Sequence, residues 1–378
     1  MLNFRRALVA AAIFLTILFF ITRSTSTPSE ALAAEFAKAQ AEADATAPDA
    51  AALVGGNGGA GIRSRPGPHG QHHQHLMQGT ISLSLPLYER LARIFLYDVE
   101  AKFPAFIWQT WRWTPAHGEF NFRSQEASWT EQHPGFVHEV ITDTVAPQLV
   151  RLLYGPAAPE VVEAYDALPL PVLKADFFRY LILLARGGIY ADIDTYAIKS
   201  ADKWIPEQVP LDTVGLVVGI EADPDRPDWK DWYSRRIQFC QWTIQAKPGH
   251  PVLRDIVARI TEHTLQRKRA GSLTAVKDRD VIEFTGPALW TDVIFDYFND
   301  PRFFDMERSV GPIDWRNFTG MDNPRRVGDV IVLPITSFSP GVQQMGAKDY
   351  DDPMAFVKHD FEGTWKPEKE RHIGEKDN

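Results

Sequence analysis

The chain of 378 residues is poor in cysteine and has no excess of positive charge, and each shortage excludes a class of protein. A single cysteine, Cys240, excludes an internal disulfide, and its apolar neighbours predict a buried core residue. The formal net charge of −9 argues against a nucleic-acid-binding protein, because such proteins are normally basic. The hydrophobic fraction of 44% is enough for a packed core, in one large domain or two small ones.

The chain also lacks a long apolar run at its N-terminus, where a shorter one occupies residues 7–22. Arg5 and Arg6 precede this run and Arg23 follows it, which is compatible with two interpretations. A cleaved signal peptide would use the small residues at 31–33 as its cleavage site. An uncleaved signal anchor would hold the arginines on the cytoplasmic side, and a short span suits the thinner membranes of the early secretory pathway. We favour the anchor, partly because of the segment that follows it.

Residues 23–80 contain many small and polar residues but almost no bulky apolar ones, so they predict a disordered stem. We interpret the histidine-rich tract at 69–75 as a polar low-complexity stretch rather than a metal site. A membrane anchor followed by a flexible stem is typical of an enzyme held at a lumenal surface. The predicted organisation is a cytoplasmic N-terminus at 1–6, an anchor at 7–22, a stem at 23–80, a catalytic domain at 81–366 and a charged tail at 367–378.

Predicted strands and helices alternate from about residue 83 onward. Helices are expected over residues 85–101, 144–153, 160–167, 172–185, 251–266 and 287–298, and strands over 106–108, 136–141, 189–191, 216–220, 237–244 and 331–333. Asp143 is expected to cap the helix that ends near residue 153. This alternation predicts an α/β fold with a mostly parallel central sheet flanked by helices.

The segment 174–200, KADFFRYLILLARGGIYADIDTYAIKS, concentrates the residues that can carry chemistry. Asp176 and Arg179 share one face of a helix, near its start, where backbone N–H groups also point outward. Gly187 and Gly188 end that helix and permit a tight turn. A short apolar strand then leads to two carboxylates, at positions 192 and 194.

Asp192 and Asp194 are two residues apart, and a continuing strand would point both side chains to the same side. If the chain turns there, the loop must supply that geometry instead. Oxygen ligands suit Mg²⁺ or Mn²⁺, which can bridge a diphosphate and neutralise a departing nucleotide. Phosphatases that form an aspartyl-phosphate also carry Asp-x-Asp after a strand, but they continue with x-Thr, where this chain has Tyr196. The sequence therefore favours a metal site.

Segment 174–200 resembles the core motif of glycosyltransferase family 32. Further stretches resemble other parts of that family, and they lie at residues 107–111, 218–223, 238–251, 285–291 and 359–365. The resemblance covers about residues 100–366 and is strongest to the fungal α-1,6-mannosyltransferases of the Golgi. It implies a GT-A type nucleotide-sugar-binding fold, a GDP-mannose donor, Mn²⁺ as cofactor, retention of configuration and an N-glycan core as acceptor. It also implies a single-pass type II protein of the Golgi membrane with a lumenal catalytic domain.

The resemblance further implies roles for particular residues. Catalytic roles are expected for Asp176, Arg179, Asp192 and Asp194. The metal ligands are expected to be Asp192, Asp194 and His359. Substrate contacts are expected from Trp108, Gln109, Thr110, Gly187, Gly188, Tyr190, Glu221, Gly286, Pro287 and Trp365.

Two other functions remain open from the sequence alone. One is a mannosyl- or related transferase with a sphingolipid or an extended mannan as acceptor, and the other is a non-catalytic lumenal sugar-binding homologue. The intact set of aspartates and Arg179 favours an enzyme. No residue stands out as a nucleophile, which favours substitution on the same face of the sugar, with the leaving phosphate accepting the proton of the incoming hydroxyl. Asn317 begins a glycosylation sequon that is usable only in a lumenal domain.

Overall fold

The computed structural model describes residues 84–274, 278–307 and 311–363. These belong to one compact unit that begins at Leu83. The predicted N-terminus, anchor and stem at 1–6, 7–22 and 23–80, Trp365, and the tail at 367–378 lie outside the described residues. Of the helices within the described ranges, none combines the length and the apolar character that a membrane span requires.

The described residues alternate between helices and strands over most of their length. The helices are α1 (Leu87–Ile94), α2 (Arg123–Gln132), α3 (Ala146–Tyr154), α4 (Pro159–Ala167), α5 (Pro171–Arg186), α6 (Pro251–Arg269), α7 (Asp278–Phe284), α8 (Pro287–Phe298) and α9 (Ile335–Phe338). The strands are β1 (Phe106–Trp111), β2 (Val137–Thr142), β3 (Gly188–Ala191), β4 (Thr195–Ala197), β5 (Leu216–Ala222), β6 (Gln238–Phe239), β7 (Thr243–Ala246), β8 (Arg325–Val327), β9 (Val330–Leu333) and β10 (Val357–His359).

The central sheet has the strand order β2-β1-β3-β7-β5-β9-β8, and β6 is added beside β5. Strand β1 pairs in parallel with β2 and β3, and β5 pairs in parallel with β9. Strand β7 is antiparallel to both β3 and β5, so β2, β1, β3, β5 and β9 all run in one direction. The predicted α/β class with a mostly parallel sheet flanked by helices is therefore confirmed.

Helix α5 packs against the central strands and is largely buried. Its buried residues include an unbroken run from Asp176 to Leu184, so the predicted polar face does not reach the surface but lies inside the protein. The helix ends at Gly187, whose φ of 64° and close approach to Pro248 exclude a side chain there. Gly188, with a φ of 96°, lies against the backbone of Phe106. These two glycines let the chain turn directly from α5 into β3.

Several local predictions differ from the structure. Helix α1 ends at Ile94, before the expected residue 101, and the single strand expected over 237–244 is two short strands, β6 and β7. The prediction that Asp143 caps α3 is wrong, since Val145 holds the cap position and no side chain makes a capping hydrogen bond. Helix α2 was not predicted, because its sequence, RSQEASWTEQ, has no clear apolar stripe.

Candidate active site

A cavity of about 760 Å³ opens where the carboxyl ends of β1, β2, β3 and β5 meet at one edge of the sheet. Ligands of α/β proteins bind at this edge, because the strand ends place loop side chains side by side. The cavity is lined by residues that follow these strands, together with parts of α5 and α8. The lining includes Thr110, Asp143, Asp176, Arg179, Asp192, Asp194, Glu221, Gln238, Gln241, Trp242, Gly286, Pro287, His359 and Phe361.

Asp192 and Asp194 lie in a turn between β3 and β4, not on a continuing strand. The backbone of this turn is held at several points. The Asp192 N–H donates to the carbonyl oxygen of Trp242 at 2.8 Å, and the Thr195 hydroxyl donates to the Asp192 carbonyl at 2.6 Å. Gln109 Nε2 donates to the same carbonyl at 3.2 Å. The turn therefore supplies the carboxylate geometry that the sequence left open.

His359 lies close to the Asp194 side of the turn because β10 pairs antiparallel with β4, opposite Thr195. Its Nε2 is 3.3 Å from Asp194 Oδ1. The imidazole ring packs beside two aromatic rings, with centroid distances of 4.6 Å to Trp242 and 4.1 Å to Phe361. One potential ligand atom from each of His359, Asp192 and Asp194 lies within 4.8 Å of the others. The structure thus brings together the three predicted metal ligands.

The segment after β10 folds over the Asp194 turn. The N–H of Asp360 donates to the Asp194 carbonyl at 3.0 Å, and the N–H of Glu362 donates to its Oδ2 at 3.2 Å. Phe361, between them, has a left-handed backbone with φ of 52°, which is uncommon for a residue with a large side chain. The segment is therefore tied to the turn by its backbone as well as by His359.

Arg179 connects the metal-ligand turn to helix α5. Its Nη2 donates to Asp192 Oδ1 at 3.0 Å, and its Nη1 lies 2.9 Å from Asp176 Oδ1. Asp176 also accepts from the Thr285 hydroxyl at 2.8 Å and from Gln241 Nε2 at 3.2 Å. A buried carboxylate with this many donors is well compensated, so Asp176 is tied to the protein rather than free to move.

The charges of the turn act on one another. Burial raises the pKa of Asp192, with Arg179 opposing the shift and Asp194 adding to it. Burial would raise the pKa of Asp194 too, but the charge and hydrogen bond of His359 outweigh it and lower that pKa. Burial would lower the pKa of His359, yet the surrounding carboxylates, Asp194 first among them, raise it. The cluster is therefore rich in negative charge and suited to a cation.

The same cluster fits a divalent metal ion by the chemistry of its donors. Two carboxylates and one imidazole are ligands for Mn²⁺ and similar ions, and the three donor atoms already lie close together. Nδ1 of His359 is buried without a hydrogen-bond partner among the described residues, so its ring is not fully committed to the protein. The cavity lining as a whole carries five carboxyl groups against two guanidinium groups and one imidazole.

Glu221, at the end of β5, is a further carboxyl group in the cavity. Burial raises its pKa to about 7, although hydrogen bonding from Gln238 and the charges of His359 and Arg179 act in the opposite direction. Its Oε2 is buried without a hydrogen-bond partner in the described part of the chain. Glu221 therefore lies in the cavity, and its role as a substrate contact stays a prediction.

The remaining predicted contacts divide into two groups. Thr110, Gly286 and Pro287 line the cavity, whereas the structure places Trp108, Gln109, Gly187, Gly188 and Tyr190 behind it. Trp108 Nε1 donates to the Gly187 carbonyl at 2.9 Å, inside the core. Tyr190 is buried beneath Arg179, with the guanidinium carbon 5.1 Å from its ring centroid. These buried residues position the cavity wall rather than line it.

Sequence reasoning missed Gln238, Gln241, Trp242 and Asp143 as lining residues. Gln241 and Trp242 lie between β6 and β7 and line the cavity. No local pattern in residues 237–244 indicates that the strand is interrupted there. Asp143 directly follows β2, so its place at a parallel strand end was a signal that could have identified it.

Comparison with known proteins identifies a family and several relatives. The family described as "Glycosyltransferase sugar-binding region containing DXD motif" matches residues 120–210, which include the Asp192–Asp194 turn. An initiation-specific α-1,6-mannosyltransferase of Candida albicans is 48% identical over 295 residues, which cover 74% of this chain and 76% of that protein. One of the same name from Schizosaccharomyces pombe is 47% identical over 273 residues, covering 72% of this chain and 66% of that protein. Among solved structures, the PaToxG glycosyltransferase matches with a TM-score of 0.35 and 14% identity, covering 56% of this chain and 74% of that one.

The identity to these relatives extends over most of both chains, and the Asp-x-Asp turn lies in the cavity that the fold forms at its strand ends. DXD glycosyltransferases generally use a divalent metal, and the three donors found here match that requirement. The chain therefore belongs to glycosyltransferase family 32 and is a hexosyltransferase.

Proposed function

We propose that this enzyme transfers mannose from GDP-mannose to the core of an N-glycan in α-1,6 linkage, with retention of configuration and with Mn²⁺ as cofactor. The observation that carries the proposal is the cluster of Asp192, Asp194 and His359 at the edge of a cavity large enough for a sugar nucleotide. The relatives that are 48% and 47% identical are initiation-specific α-1,6-mannosyltransferases, which supports a mannose donor and an α-1,6 linkage.

Asp192, Asp194 and His359 would hold the metal ion. When bound, the ion supplies positive charge that offsets the diphosphate of the leaving nucleotide. Arg179 keeps the Asp192 carboxylate oriented through its 3.0 Å contact, and Asp176 in turn orients the guanidinium. Because the ligands are fixed before substrate arrives, little reorganisation is needed when the donor binds.

For the reaction itself we propose substitution on one face of the sugar. In that reaction the bond from the anomeric carbon to the phosphate oxygen breaks, the bond to the acceptor oxygen forms on the same face, and the acceptor proton passes to the phosphate. Asp192 and Asp194 are engaged by Arg179 and His359, and Asp176 is held by Thr285 and Gln241. None of these three carboxylates is therefore free to act as a nucleophile on the sugar.

We further propose that the enzyme is a single-pass type II protein of the Golgi membrane. Residues 1–6 would face the cytoplasm, residues 7–22 would span the membrane, and residues 23–80 would form a stem. The lumenal catalytic domain would then meet glycoproteins that carry the N-glycan acceptor. The apolar run flanked by Arg6 and Arg23 supports this arrangement.

A panel of donors and acceptors tests the proposal. The full chain in detergent with Mn²⁺ is given GDP-mannose, GDP-fucose or UDP-glucose, each with a high-mannose N-glycan, an inositol phosphoceramide or an α-1,6-mannan oligosaccharide. We expect one mannose to be added to the N-glycan, with an α-1,6 linkage shown by NMR. Transfer to the ceramide alone or to the mannan alone would show that the proposed acceptor is wrong. Transfer from another nucleotide sugar would show that the proposed donor is wrong. Donor binding without transfer in any pair would indicate a non-catalytic homologue.

A further inference from the structure

We propose that Glu221 and Gln238 form a subsite that binds two neighbouring hydroxyl groups of a sugar. This inference rests on the proposed mannosyl transfer and adds to it the group that recognises the sugar ring. Both side chains line the same cavity as the Asp192–Asp194 turn.

The backbone places the two side chains together. Strands β5 and β6 pair antiparallel, with Ala222 opposite Gln238 and Ile220 opposite Phe239. The register shifts between Ile220 and Ala222, so Glu221 is the extra residue of a β-bulge. A bulge turns a side chain away from its regular direction, and bulges are frequent beside active sites. Here the bulge lies at the end of β5, where Glu221 meets the cavity.

The free atoms of the pair define the chemistry of the ligand. Glu221 Oε2 and Gln238 Oε1 are buried, and neither has a hydrogen-bond partner among the residues that the structure describes. Gln238 is only 6% exposed. When Glu221 is ionised, both free atoms accept hydrogen bonds, so a ligand that satisfies them must donate two. Adjacent hydroxyl groups of a hexose do this, whereas a phosphate or an apolar chain does not.

Burial increases the contribution of these two acceptors to the free energy of ligand binding. An acceptor that is buried without a partner costs free energy, and a ligand that supplies the missing donor regains it. Arg179 and His359 line the same cavity as Glu221, so the subsite shares that cavity with the metal-ligand turn and with helix α5. A sugar bound to this subsite would therefore lie next to the metal-ligand turn, where the diphosphate of the nucleotide is expected to bind. The sugar is either the donor mannose or the terminal residue of the acceptor, and the experiment separates the two.

Gln245 offers a matched control. It is also a buried glutamine, 6% exposed, and its Oε1 also has no partner among the described residues. It lies on β7 but does not line the cavity. Gln245→Met therefore makes the same chemical change as Gln238→Met at a place that no sugar reaches.

The test compares sugars that each lack one hydroxyl group. The full chain in detergent is assayed with deoxy analogues of the mannose in GDP-mannose, and separately with deoxy analogues of the terminal mannose of the acceptor. We measure kcat/KM for wild type, Gln238→Met, Glu221→Gln and Gln245→Met, and thermal unfolding of each. Glu221→Gln preserves the shape of the side chain, so it still tests the subsite if Gln238→Met does not fold.

In wild type and in Gln245→Met, removal of one hydroxyl that the subsite binds should lower kcat/KM by about 10- to 100-fold. In Gln238→Met, removal of the hydroxyl that Gln238 binds should have little further effect, because its acceptor is gone. In Glu221→Gln, the loss caused by removing the hydroxyl that Glu221 binds should become smaller, because a neutral amide accepts a hydrogen bond more weakly than a carboxylate does. The series that shows this coupling, donor or acceptor, identifies the sugar. Equal losses in all four proteins for every analogue would overturn the inference. If wild type transfers no mannose, the proposed function fails instead. The subsite is then tested by calorimetry, which compares the dissociation constants of GDP-mannose and its deoxy analogues in the same four proteins.

Discussion

Arg179 and Asp192 are joined across two elements by a hydrogen bond of 3.0 Å, from the guanidinium on helix α5 to a carboxylate in the turn after β3. The same guanidinium pairs with Asp176, 2.9 Å away, and both side chains of that second pair are almost completely buried. Burial would lower the pKa of Arg179, but the two carboxylates outweigh it and raise the pKa well above its usual value. Arg179 therefore stays charged and couples the stability of α5 to the geometry of the metal-ligand turn.

Replacement of Arg179 by methionine tests this coupling. The variant leaves Asp176 as a buried carboxylate without its counter-charge, so we expect the free energy of unfolding to fall by about 3–5 kcal/mol. We expect kcat/KM to fall by at least about 100-fold, because Asp192 loses its orienting partner. Denaturant unfolding and steady-state kinetics measure the two effects.

The double variant Asp176→Asn/Arg179→Met separates stability from catalysis. An asparagine can still accept from Thr285 but carries no charge, so most of the lost stability should return while activity stays low. A double variant that is as unstable as Arg179→Met alone would show that the buried charge is not the cause.

Gln109 is predicted to act on metal affinity from behind the cavity. Its Oε1 lies 2.9 Å from His138 Nε2, and its Nε2 holds the Asp192 carbonyl. Burial lowers the pKa of His138 to about 4, so the imidazole is neutral and can donate to Gln109 at physiological pH. Gln109→Met should raise the Mn²⁺ concentration for half-maximal activity by about 10- to 100-fold.

A metal titration of Gln109→Met, His138→Phe and the control Gln245→Met checks this. The first two variants should shift the titration in the same direction, and the control should match wild type. Superimposable titrations for all four proteins would mean that the hydrogen-bonded chain behind the turn does not influence the metal site.

Glu139 gives a prediction for stability against pH. Burial raises its pKa from 4.5 to about 7 in the folded state. The folded protein therefore binds more protons than the unfolded chain between those values, so this group makes the protein less stable as the pH rises from about 4.5 through about 7. Glu139→Gln should raise the unfolding temperature at pH 8 and change it little at pH 5. An equal effect at both pH values would show that Glu139 does not titrate in this range.

Removal of residues 1–80 should give a soluble and active enzyme, since the compact unit begins at Leu83. Fractionation after lysis and kcat/KM for the truncated chain measure both properties. A truncated chain that stays with the membrane would place a membrane contact in the remaining residues, and a soluble but inactive one would show that the N-terminal segment contributes to catalysis.

Local patterns were sufficient to predict the elements that carry the site. The apolar helix α5, the two glycines and strand β3 were all recognisable, because their neighbours in sequence are also their neighbours in space. The proximity of His359 depends on a three-residue pairing between β10 and β4. Only the family resemblance pointed to it, since no local feature of the sequence specifies that pairing.

The partners of Asp176 could not be predicted for a related reason. Asp176 and Arg179 were expected to share one helix face, as they do, but the sequence did not show that Thr285 and Gln241 donate to the buried Asp176 from distant segments. Gln238 was missed for the same reason, since its role depends on the register shift beside Glu221. Such tertiary hydrogen bonds overrule the helical pattern and leave no periodic trace in the sequence.

Mannosyl transfer that depends on the Asp192–Asp194 turn is tested by measuring transfer from GDP-mannose to a high-mannose N-glycan with Mn²⁺ present. Wild type, Asp194→Ala and Asp202→Ala are compared, the last being a surface control whose side chain is 62% exposed. We expect Asp194→Ala to lose at least about 100-fold in rate, EDTA to abolish wild-type transfer, and Asp202→Ala to behave as wild type. Near-normal Mn²⁺-dependent transfer by folded Asp194→Ala would contradict the dependence on this turn.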